Sequence, residues 1–76
     1  MIQTQVTWPT SMDKASIDAV GAYGNSMATI QTEAPAGYID GNGQRVIDRF
    51  WATQEDAQNW INYVQTQGCV SAVIIA

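Results

Sequence analysis

Histidine is absent from the 76 residues, cysteine occurs once, and only Lys14, Arg45 and Arg49 carry positive charge. Each shortage removes a class of chemistry. Without histidine the chain lacks the commonest general base, the usual metal-ligating side chain and most nucleophilic triads. A single thiol, Cys69, cannot build a multi-thiolate zinc or iron–sulfur site or an intrachain disulfide, so an oxidising compartment is not implied. Three scattered cations in a chain of net charge −4 leave no basic footprint for nucleic acid or an anionic membrane surface. No apolar run approaches the ~20 residues of a membrane-spanning helix, and no basic segment followed by an apolar stretch opens the chain. The expectation is a soluble, cytoplasmic protein with no cofactor, no metal, no nucleic acid and no membrane.

What is present suits a packed core. Apolar residues make up 46% of the chain and include three Trp, three Tyr and one Phe, so disorder is not expected. At this length one α+β domain, residues 1–76, is expected, and its stability margin is thin. Charged residues reach only 13%, about half the usual share. So few surface charges point to self-association or a partner.

Met1 to Trp8 alternates, with Ile2, Thr4, Val6 and Trp8 on one side and Gln3, Gln5 and Thr7 on the other. That is the period of a half-buried strand, ended by Pro9. Thr10 or Ser11 can cap a helix carrying Met12, Ala15, Ile17, Ala19, Val20 and Tyr23, with Gly24-Asn25 as its stop. Gly21 would let this helix approach a sheet closely. Met27 to Glu33 alternates again and predicts a second, edge strand. Asp40-Gly41-Asn42-Gly43 is a turn signal, with Tyr38-Ile39 extending one hairpin arm.

Arg45 to Ala52 predicts a third strand whose two faces are alike in character. Val46 and Phe50 flank Asp48 on one, and Ile47 and Trp51 flank Arg49 on the other. Thr53 caps a second helix, Asp56 completes a capping box, and Ala57, Trp60, Ile61 and Val64 form its apolar face. Gly68 ends it, and Val70 to Ile75 is the fourth strand. The order βαββαβ predicts a ferredoxin-like α+β fold: a four-stranded antiparallel sheet, its first and third strands central, with two helices on one face.

The alternating opening I-Q-T-Q-V-T-W, the capped first helix and the late R-V-I-D-R-F-W-A-T-Q-E-D-A segment resemble the short uncharacterised proteins of marine T4-like phages. That resemblance implies an accessory viral role in the host cell cytoplasm and carries no activity with it. In fold the chain is also similar to the dimeric α+β barrel proteins, whose members include monooxygenases and isomerases. Their catalytic motifs do not occur here.

Other chemical readings give way to structural ones. A calcium loop beginning at Asp40 would need glycine and glutamate where Arg45 and Trp51 stand. Gly21 to Ser26 lacks the lysine and spacing of a phosphate loop. Glu55 and Asp56 belong to a helix start rather than to an acid–base pair, and Cys69 reads as a small packed thiol. Asp48 and Arg49 face opposite sides of one strand, so they cannot pair with each other. Trp8 and Trp60 are expected in the core, whereas Trp51 lies in the core or on the open sheet face, depending on register.

No catalytic residue emerges, and a non-enzymatic protein is expected. Tyr38, Asp48, Arg49, Trp51 and Val73 are the candidate binding residues. A homodimer formed through the open sheet face or an edge strand is the expected assembly, with a host protein as another partner. The alternative is a small-ligand or catalytic site between sheet and helices, served by Tyr38, Asp48 or Arg49.

Overall fold

The computed structural model describes residues 1–30 and 35–75. Its elements are β1 (Ile2–Trp8), α1 (Lys14–Met27), β2 (Ala36–Ile39), β3 (Arg45–Trp51), α2 (Gln54–Gln65) and β4 (Ser71–Ile74). The strands form one antiparallel sheet in the order β2-β3-β1-β4, with both helices against one face. This is the expected ferredoxin-like layout, with β1 and β3 central.

Alternation along β1 decides which face is covered. Thr4, Val6 and Trp8 are buried beneath the helices, and pairing sets them opposite Arg49, Ile47 and Arg45. The helix-facing side of β3 is therefore Ile47, Arg49 and Trp51, leaving Val46, Asp48 and Phe50 on the open side. Ile17 and Val20 of α1 meet Ala57, Trp60 and Val64 of α2 over Val6, Trp8 and Trp51 in one apolar cluster. Trp8 and Trp60 lie in the core as expected, and Trp51 joins them at 1% exposure.

The first helix departs from expectation at both ends. Residues 9–12 form a turn closed by the Met12 amide on the Pro9 carbonyl (3.1 Å), so the cap falls on Asp13. Its Oδ1 accepts from the Ser16 amide at 2.8 Å. At the other end the helix runs through Gly24-Asn25 to Met27. A Cβ at Gly24 would lie 2.6 Å from Trp60 Cζ3, so this glycine serves helix–helix packing and does not stop the helix.

The second strand is also displaced from its expected place at Met27 to Glu33. Met27 closes α1, residues 28–30 hold no strand, and residues 31–33 lie outside the described residues. The strand is Ala36–Ile39, the arm expected only to extend a hairpin. The hairpin itself is as expected. Asp40 exchanges backbone bonds with Gln44 and Gly43, and its Oδ1 accepts from the amides of Asn42 and Gln44. Gly43 takes φ +77°, the left-handed position that a three-residue hairpin loop requires.

Thr53 caps α2 by accepting from the Asp56 amide at 3.1 Å, and Gly68 takes φ +87° beyond its end. The Asp56 carboxylate does not reach back to the Thr53 amide as a capping box would. Its Oδ2 accepts from the Thr29 amide at 3.0 Å and from Thr29 Oγ1 at 2.7 Å, tying the exit of α1 to the start of α2. The Thr29 bonds hold the Asp56 carboxyl below its usual pKa, against a smaller opposing effect of burial. A carboxylate depressed in the fold stabilises fully above its ordinary value near 4, and that contribution fades as pH falls through the folded value. Asp13 is lowered by its cap bonds and carries the same sign. Asp56→Asn is therefore expected to lower the urea midpoint at pH 7, with the gap to the parent protein beginning to narrow near pH 4 and closing only below the lowered folded value. Urea titrations from pH 7 downwards would check it; a gap that does not narrow as pH falls below about 4 would be the contrary result.

Candidate functional site

Among the described residues, the molecule presents a cleft on the helix side and the uncovered face of its sheet. The cleft, of about 430 Å3, opens between α1 and the β2–β3 pair. Asp18, Gly21 and Asn25 line it from α1, and Gly37, Arg45 and Arg49 from the strands.

Arg49 is the dominant side chain of the cleft wall. It is only 8% exposed, yet it faces no carboxylate, since Lys14–Asp18 is the one ion pair among the described residues. Neutral groups surround it instead. Nη1 donates to Asn25 Oδ1 at 2.9 Å and Nη2 to the Gly21 carbonyl at 2.7 Å. The guanidinium carbon lies 4.9 Å from the centre of the Trp60 ring, a cation–π distance. The buried Nε has no partner. Burial pushes the Arg49 pKa down from its usual value, as expected for a cation without a counter-charge. Gly21 eases this arrangement, because a Cβ there would lie 3.1 Å from Nη2, close enough that the guanidinium would have to shift by a few tenths of an ångström. The close approach expected of Gly21 is thus to an arginine standing on the sheet.

The open face is built from different material. Tyr38 and Ala36 of β2, Val46, Asp48 and Phe50 of β3, Gln3, Gln5 and Thr7 of β1, and Ser71 and Val73 of β4 alternate onto it. Its one charge is Asp48, half-buried and accepting from Gln5 Nε2 at 3.1 Å. Tyr38 is 52% exposed and Val73 47%. Val46 is buried at 4% although it alternates onto this face.

The five candidate binding residues consequently divide. Tyr38, Asp48 and Val73 share the open face, while Arg49 and Trp51 lie beneath the helices. Trp51 is not a surface contact: its Nε1 donates to buried Thr4 Oγ1 at 2.9 Å, and its ring centre is 5.8 Å from that of Trp60. Arg45, Gly21, Asn25 and Gly37 belong to the cleft and were not among the candidates. A signal for Arg45 existed, since arginines four apart on one strand share a face. Cys69 is half-buried against the core, and burial raises its thiol pKa, so it stays protonated near neutral pH. No family model, curated protein or solved structure matches this chain. Among the described residues, no helix is long and apolar enough to cross a membrane.

Proposed function

We propose that this chain is a non-enzymatic accessory protein that self-associates through the open face of its sheet. The observation that carries this is the charge of that face: Asp48 alone, and already bonded to Gln5. Two copies of a chain with net charge −4 repel each other, and they approach at least cost across a patch nearly free of charge. Exposed Tyr38 and Val73 supply apolar contact area on it. The β4 edge continues the patch, for Val70 to Ile75 contains neither a charge nor a proline to discourage strand pairing. A viral accessory role in the host cytoplasm is the setting that the phage resemblance suggests, with a host protein as the other occupant of the face. Sedimentation velocity over a concentration series tests the reading. A reversible dimer at micromolar concentration is expected, and a strict monomer would overturn it.

The cleft favours a second reading, small-ligand binding between sheet and helices. Its volume falls in the range of small-molecule sites, and its wall holds a buried guanidinium outside any ion pair among the described residues.

A further inference from the structure

We infer that the cleft between α1 and the β2–β3 hairpin binds a small organic anion, with Arg45 and Arg49 donating to its carboxylate or phosphate head. The inference rests on the small-ligand reading and names the ligand chemistry. Its first support is where the charges fall. The chain has three cations in all; Arg45 and Arg49 line this cleft, and Lys14 neutralises Asp18, the one acid lining it among the described residues, at 2.6 Å. In an acidic protein, the positive charge is thus gathered at one concave site.

The second support is the state of Arg49. A guanidinium has five donors; the protein accepts one from Nη1 and one from Nη2, Nε is sealed in the interior, and the second hydrogens of Nη1 and Nη2 are left for a ligand. Removing a cation from water without a counter-charge is costly, and neutral acceptors with a ring face compensate only in part. An anion in the cleft would supply the missing charge. Arg45 stands on the same side of β3, half-buried and outside any ion pair among the described residues, so it can close on the head from the rim.

The third support is Gly37. Its φ is not positive, so the backbone does not require glycine there, and glycine weakens a strand. It lies on the helix-facing side of β2 opposite Ile47, where a built Cβ would meet only Ile47 Cγ1 and the Val46 carbonyl, both at 3.5 Å. What the missing side chain provides is space in the cleft. Ile17, Ala22 and Ile47 then offer an apolar wall to the body of the ligand.

The test is a nitrogen–proton NMR titration of the whole chain at low salt with benzoate, phenyl phosphate and benzamide. Benzoate or phenyl phosphate should saturably shift Gly21, Gly37, Arg45 and the Arg49 side chain, and the tighter of the two identifies the head group. Benzamide, a neutral match for benzoate, should not. Arg45→Gln should keep the native spectrum and weaken binding at least about tenfold, the scale of one charged hydrogen bond. Gly37→Leu should fold and abolish binding by filling the space. Equal shifts with benzamide, or an Arg45→Gln variant that binds normally, would overturn the anion and leave a ligand cleft standing. Silence with all three compounds would remove both.

Discussion

Trp60→Ala is expected to destabilise the protein by about 3–5 kcal/mol, the usual cost of deleting a buried aromatic side chain. Trp60 is 2% exposed, and three residues from two other elements pack on its ring. Gly24 of α1 packs on the ring edge, Trp51 of β3 lies 5.8 Å away centre to centre, and Arg49 stands over its face. The space left by alanine would not close easily. Gly24 has no side chain to move into it, and Arg49 is held by Asn25 and the Gly21 carbonyl. A domain of this size has roughly 4–11 kcal/mol of total stability, so the loss would take much or all of it. The midpoint of thermal unfolding, followed by circular dichroism, should fall by more than about 12 °C.

Trp60→Phe separates the ring's volume from its polar atom. The Trp60 Nε1 is buried without a partner, so the indole carries an unrecovered desolvation cost of about 1–3 kcal/mol. Phenylalanine keeps much of the apolar contact and removes that cost. It should therefore lose far less than alanine, under about 2 kcal/mol. If the two variants proved equally damaging, the indole nitrogen would have to be bonded in solution. If alanine cost less than about 1 kcal/mol, Trp60 would not be the centre of the core.

These dependencies show how far the sequence could be read. The apolar spacing in α2, its Thr53 cap and the turn at Asp40 are local features, and each lies where its residues indicate. The faces of β3 are different. Ile47-Arg49-Trp51 and Val46-Asp48-Phe50 are both apolar with one charge, so period two cannot say which one the helices cover. Pairing with Thr4, Val6 and Trp8 settles it, together with acceptors on α1 that lie far off in sequence. The end of α1 misleads for a related reason. Gly24-Asn25 has the composition of a helix stop, but contact with Trp60 requires a position without a side chain, and tertiary packing overrides the local signal. Once α1 extends to Met27, the expected strand loses its start, and the Asp40 hairpin recruits Ala36–Ile39 in its place. The cleft was the least legible part, because Arg45, Arg49, Gly21 and Gly37 converge only through β2–β3 pairing and the seating of α1.

Val73→Lys is expected to abolish self-association while leaving the fold nearly unchanged. Val73 pairs with Gln5, alternates onto the open face and is 47% exposed, so a lysine there reaches solvent in the monomer. The stability change should stay within about 1 kcal/mol, the span of strand propensity. In a dimer the same ammonium would be desolvated or brought near its symmetry mate, which weakens association at least about tenfold. A charge at Trp51 would be uninformative, because that ring is in the core and its loss reports on folding. Tyr38→Lys is the instructive companion, since Tyr38 shares the open face but sits on β2 at the far edge of the sheet. If both lysines disperse the dimer, the interface is the face. If only Val73→Lys does so, the copies join along β4, where a lysine also blocks edge pairing. Were both variants to sediment as the parent dimer does, the sheet would not be the interface at all. The charge argument from Asp48 would then fail with it.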